Sequence, residues 1–77
     1  MIKTEIELTE ELRNRIASQI VTQETAVTYW REVSKKAKKD SQERVDALQS
    51  VVINQQMISK DKHYLKIIDD RLEKLNG

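Results

Sequence analysis

The chain has no cysteine and no proline, and its one glycine is the last of 77 residues. Without cysteine there is no disulfide, no thiolate metal site and no cysteine nucleophile, which fits a reducing compartment. Without an internal glycine there is no glycine-rich loop to cradle a phosphate. Histidine occurs once, at His63, between Lys62 and Tyr64. A nucleophile–base–orienter set built there needs partners held by a deeper core than so short a chain can supply, so a solvent-exposed imidazole is expected. Asp69 or Asp70 can share a helix face with Glu73, but two carboxylates without histidine or cysteine make a poor zinc site, and a solvated acidic helix end is the simpler reading. No apolar run approaches the ~20 residues of a membrane span, and no signal-peptide pattern opens the sequence. These absences point away from an enzyme, a cofactor, a metal centre and a membrane, and towards a cytoplasmic protein.

Charged residues make up 35% of the chain and aromatics 4%, a balance found in helical hairpins, bundles and coiled coils. Disorder is the alternative at such polarity, but the apolar residues are phased rather than scattered. From Ser41 to Leu75, Val51, Ile58, Leu65 and Leu72 lie seven apart, with Ile68 and Leu75 at companion positions. That is the spacing of a helix packed lengthwise against another helix. Val45, Leu48 and Val52 form a second short stripe about 100° round from Val51. The apolar surface is therefore wider than one seam. A kink near Ser59 is conceivable from its capping side chain, but Ile58, Leu65 and Leu72 keep phase across it.

Upstream, Ile2, Thr4, Ile6 and Leu8 alternate with Lys3, Glu5 and Glu7, the period of a half-buried strand. Residues 1–8 are expected to form an extended arm or strand, with fraying as the alternative. Thr9, followed by Glu10 and Glu11, is the expected N-cap of a first helix. Leu12, Ile16, Ile20, Val27, Trp30, Val33 and Ala37 form its stripe, interrupted by Gln19, Gln23 and Ser34. Lys35, Lys36, Lys38 and Lys39 suit its C-terminus. The helix is expected over about 9–38, with a weak place at Ile20–Thr28 where β-branched residues crowd. A turn at about 39–41, capped by Asp40 or Ser41, leads to a second helix over about 41–75. The expected fold is all-α: an antiparallel helical hairpin, coiled-coil-like, with a short N-terminal arm.

Three groups of residues are candidates for contact. Gln23, Asn54 and Asp61 intrude on the apolar stripes. At core positions they would set register or oligomer state, with Asn54 and Gln23 meeting across the hairpin; alternatively the stripe passes to Gln55 and Lys62 and leaves Asn54 and Asp61 at its edge. Tyr29, Arg31, Lys35, Lys36 and Lys39 combine aromatic and basic side chains, as a partner or nucleic-acid surface does. The plainer reading is a core tryptophan, Trp30, beside a solvated basic helix end. Val21 (with the small Ala17 beside it), Ile53, Tyr64 and Ile67 lie off the main stripes and would stay exposed on a lone hairpin, so self-association is expected. Charge is uneven: residues 1–11 carry one basic and four acidic groups, residues 12–40 seven and three, residues 41–77 six and six.

The opening IEL-TEEL resembles the start of ribbon-helix-helix repressors, whose paired strands enter the DNA major groove. The resemblance implies a strand over about the first eight residues and a second helix from near Glu24. Lys3, Glu5 and Glu7 would then face the DNA, and two glutamates per strand oppose phosphate contacts. The overall plan is also similar to that of the Rop-type helical hairpins, which pair into four-helix bundles, although no motif is shared.

The function expected from these features is that of a small non-enzymatic interaction protein: an adaptor, scaffold or inhibitor that binds itself and a partner protein through helical faces. Its size suits a phage or mobile-element accessory. Nucleic-acid binding through the basic helix end or an N-terminal ribbon is the alternative. Binding of a small anion or nucleotide between subunits at the same lysines is a third.

Overall fold

Thr4, not Thr9, caps the first helix. Its hydroxyl oxygen accepts the Glu7 backbone N–H at 3.2 Å, and Glu5 and Glu7 place negative charge in the first turn, where the helix dipole favours it. In the computed structural model, which describes residues 3–77, α1 spans Glu5–Lys36 and α2 spans Gln42–Asn76. The expected extended arm is therefore corrected. Glu5–Leu8 are helical, Ile6 turns onto the helix–helix seam, and the Thr9 hydroxyl donates within the helix to the Glu5 carbonyl at 2.7 Å. Met1 and Ile2 of that arm lie outside the described residues. A strand lacks a partner to pair with here, whereas a helix satisfies its own backbone and buries Ile6.

α1 also runs unbroken through Ile20–Thr28. Thr22, Thr25 and Thr28 donate their hydroxyls to the carbonyls four residues earlier, which satisfies the hydroxyls but slightly weakens the helix. The propensity cost of a β-branched residue is below about 0.7 kcal/mol. Burying Ile20 and Val27, each 7% exposed, returns about 1.5–3 kcal/mol apiece. Packing wins over propensity. The ribbon-helix-helix plan fails on both counts, since α1 occupies the ribbon's place at Glu5–Leu8 and passes Glu24 without a turn.

Ala37 ends α1 in an extended conformation, with its N–H on the Val33 carbonyl. Asp40 then takes φ 63°, the left-handed conformation that glycine would normally supply. Ser41 caps α2, its hydroxyl oxygen accepting the Arg44 N–H at 3.2 Å. α2 continues through Ser59 to Asn76, and the Gly77 N–H closes on the Glu73 carbonyl at 2.9 Å.

The two helices pack antiparallel in a hairpin 54 × 23 × 13 Å, one helix thick. The α1 seam is a strict heptad: Ile6, Arg13, Ile20, Val27 and Ser34, interleaved with Thr9, Ile16, Gln23, Trp30 and Ala37, all buried or half-buried. The α2 seam is Val51, Ile58, Leu65 and Leu72, interleaved with Ala47, Asn54, Asp61, Ile68 and Leu75. Leu12 and Val33, counted with the α1 stripe from sequence, lie one step round on its flank, and Leu12 is 39% exposed. Near the turn the small Ser34 and Ala47 are buried; near the open end Arg13 meets Asp69 at 2.5 Å and Arg71 meets Glu5 at 2.6 Å. The Arg13–Asp69 pair is half-buried and the Arg71–Glu5 pair exposed, and each holds the ends together by about 1 kcal/mol at most.

Candidate interaction surfaces

The polar residues singled out from sequence meet at the middle of the hairpin. Asn54 and Asp61 are half-buried on the seam, while Gln55 and Lys62 are exposed, so the stripe does not pass to the latter pair. Gln23, 8% exposed, donates its side-chain amide to an Asp61 carboxylate oxygen at 2.8 Å. Its own carbonyl oxygen, Oε1, is buried without a hydrogen-bond partner. Asn54 does not reach Gln23 across the hairpin; it donates to the Ser50 carbonyl in the preceding turn. Gln23, Asn54 and Asp61 floor an open groove whose walls include Gln19 and Thr22 of α1 and Met57 and Lys60 of α2.

This groove lies on one broad face. Towards the open end the same face continues as a hollow between Leu12 of α1 and Tyr64, Ile67 and Arg71 of α2. Leu8 and Tyr29 sit on the same flank of α1, at helical steps of three and four through Leu12, Thr22 and Ala26; Ile53 sits likewise on α2, one turn before Met57. Eleven large apolar side chains are exposed among the described residues, and seven belong to this face: Leu8, Leu12, Tyr29, Ile53, Met57, Tyr64 and Ile67. The other four, Val21, Val45, Leu48 and Val52, lie on the opposite flanks, with the half-buried Ala17 beside Val21. Val45, Leu48 and Val52, together with Gln49 and Ile53, border a shallow, almost wholly apolar depression near the turn, so Ile53 reaches both faces.

The basic and aromatic candidates share an end of the molecule but not a side. Tyr29, Arg31, Lys35, Lys36 and Lys39 are all exposed. Tyr29 and Arg31 are two residues apart, hence about 200° apart around α1. Tyr29 and Lys36 border the broad apolar face, Arg31 and Lys35 the opposite one, and Lys39 lies in the turn. Trp30 is half-buried on the seam and meets the Tyr29 ring edge-on, centroids 4.9 Å apart.

His63 is exposed, Asp69 is engaged with Arg13, and Asp70 and Glu73 are exposed. Among the described residues no group of three His, Cys, Asp or Glu is placed to hold a metal ion, and no helix is long and apolar enough to cross a membrane. The Lys3 ammonium, hydrogen-bonded to Glu11, holds that carboxyl below its ordinary range, with the charge attraction of Lys3 adding to the bond.

Sequence reasoning missed Leu8, Leu12 and Met57 as members of the broad face. The signal was present: once Ile6, Arg13 and Ile20 are read as one heptad position, Leu8 and Leu12 fall off the seam. No protein-family model matches this chain, and neither a curated protein nor a solved structure matches it.

Proposed function

We propose that this is a non-enzymatic interaction protein that works by presenting the apolar flanks of a helical hairpin to other proteins, a second copy of itself among them. One observation carries the reading: among the described residues, eleven large apolar side chains stand exposed while five apolar residues are buried. A lone hairpin covers each helix on one side, and exposed apolar surface arranged on two faces is what adaptors, scaffolds and inhibitors offer their partners. The face around Val45, Leu48 and Val52 is bordered by Arg31 and Lys35. It suits a partner helix that carries apolar residues beside acidic ones.

The test is light scattering behind size exclusion, at low and high salt, on protein purified without a nuclease step. A discrete, nucleic-acid-free oligomer that persists in salt supports the reading. Co-eluting nucleic acid that salt strips away replaces it with nucleic-acid binding through the lysines at the end of α1. A small anion bound at those lysines between subunits would instead raise the melting temperature when inorganic phosphate is added.

A further inference from the structure

We infer that the broad face is closed by a second copy of the chain, packed head to tail, with α1 against α1 and α2 against α2 across a two-fold axis through the mid-hairpin groove. The inference rests on the interaction reading above and specifies its first partner.

Area gives the need for a cover. The chain exposes 6195 Å², whereas a folded monomer of 9.0 kDa is expected to expose roughly 4,850 Å². A specific dimer interface removes about 800 Å² from each partner, so one such contact takes away most of the excess. Seven of the eleven exposed large apolar side chains lie on this face, which selects it over the other.

Complementarity gives the orientation. Take the α1 flank and lay it against itself in reverse, about the point between Gln19 and Thr22. Glu5 of one copy then faces Lys36 of the other, Leu8 faces Val33, and Leu12 faces Tyr29. Do the same with the α2 flank, about the point between Met57 and Lys60. Glu43 then faces Lys74, Asp46 faces Arg71, and Ile53 faces Tyr64. Three of these pairs set opposite charges together and three set apolar side chains together; the remaining pairs on the flanks, Arg15 with Ala26, Gln19 with Thr22, Ser50 with Ile67 and Met57 with Lys60, bring no like charges into contact. The two reversal points are independent, one on each helix, yet Gln19, Thr22, Met57 and Lys60 line a single groove. One two-fold axis therefore satisfies both alignments, as a self-complementary dimer interface requires.

The other way of stacking these faces puts the two turns at the same end, with α1 of one copy on α2 of the other. At the alignment set by the Glu5–Arg71 pair, that arrangement matches Glu5 with Arg71, Leu8 with Ile67 and Leu12 with Tyr64, but it places Arg15 opposite Lys60, Tyr29 opposite Asp46 and Val33 opposite Glu43. It brings like charges together and sets an apolar side chain against a carboxylate, so the head-to-tail form is preferred.

The test is a charge-swap mixing experiment read by sedimentation equilibrium from micromolar to millimolar protein. In Glu43→Lys each contact becomes lysine against lysine, and in Lys74→Glu glutamate against glutamate, so each variant alone should dissociate about tenfold more readily than the native chain. An equimolar mixture of the two restores both contacts in a heterodimer and should recover native affinity. Both positions are exposed and off the seam, so far-UV circular dichroism should show full helix in each. Ile67→Glu, at the apolar part of the face, should give a monomer of unchanged helicity. Native-like association of both single variants, or no gain on mixing, overturns this arrangement while leaving the interaction reading in place. A native chain that stays monomeric throughout overturns both this dimer and self-association.

Discussion

Gln23 of α1 gives its amide to Asp61 of α2 at 2.8 Å across the middle of the seam, and its own oxygen goes unanswered. Breaking one side of such a bond leaves a buried polar group with nothing to bind. Replacing both sides with apolar residues removes the problem. Asp61→Ala is therefore expected to lower stability by about 1–3 kcal/mol, and the double replacement Gln23→Leu, Asp61→Leu to recover that loss or exceed it. Urea unfolding followed by circular dichroism measures all three chains. A double variant less stable than Asp61→Ala would show that the polar pair contributes more than its bond.

Thr4 is the residue on which the N-terminal turn depends. Its hydroxyl oxygen takes the Glu7 N–H, and Thr4→Ala leaves that donor to water. The expected loss is about 0.5–2 kcal/mol, concentrated in the first turn. Hydrogen exchange should quicken at Glu5–Leu8 while Ile20 and Val27 keep their protection. Uniform change along α1 would contradict a local cap.

The hairpin was legible in the sequence because its signals repeat. The sevenfold spacing of Val51, Ile58, Leu65 and Leu72 recurs over four positions, and one misread residue does not erase it. Ser41 as a cap and the lysines at the end of α1 agreed with it. The start of α1 was misread because two patterns compete over eight residues. Ile2, Thr4, Ile6 and Leu8 alternate as a strand would, but Thr4 followed by Glu7 is also the opening of a capping box, and Ile6 is in phase with Arg13 and Ile20. Only packing against α2 decides between them. The faces were half legible for the same reason: Ile53, Tyr64 and Ile67 stand out as off-seam, whereas Leu12 looks like seam until the register is known. That Gln23 would meet Asp61 rather than Asn54 depends on side-chain reach, which spacing does not encode.

Asp40 holds the turn in a conformation that costs an ordinary residue about 1–2 kcal/mol and glycine almost nothing. Aspartate tolerates it better than most. Asp40→Gly is expected to leave stability equal or raised by up to about 1 kcal/mol, and Asp40→Val to lower it by about 1–2 kcal/mol. In thermal melts the glycine variant should unfold no earlier than the native chain and the valine variant earlier. A stable valine variant would mean that the turn has another way to close.

Glu11 supplies a pH signature. Lys3 depresses its carboxyl through the hydrogen bond first and charge second, so the folded value lies below the unfolded one. The sign follows: the contribution is present at neutral pH and is lost as pH falls through the folded value. Glu11 is fully exposed, so the effect is local. A carboxyl titration by NMR should show Glu11 moving upward in Lys3→Gln. An unmoved titration would remove the Lys3 contact as its cause.

The face away from the proposed dimer axis makes the last prediction. Val45, Leu48 and Val52 are 42%, 46% and 51% exposed, and head-to-tail pairing leaves them open. Leu48→Glu should therefore leave the mass of the assembly unchanged, where Ile67→Glu halves it. The open patch should also bind an apolar dye in the native assembly, and Leu48→Glu should abolish most of that fluorescence without loss of helix. Should Leu48→Glu instead dissociate the assembly, the two faces have exchanged roles: copies join through Val45, Leu48 and Val52, and the face around Leu12, Tyr64 and Ile67 is the one left for a different protein.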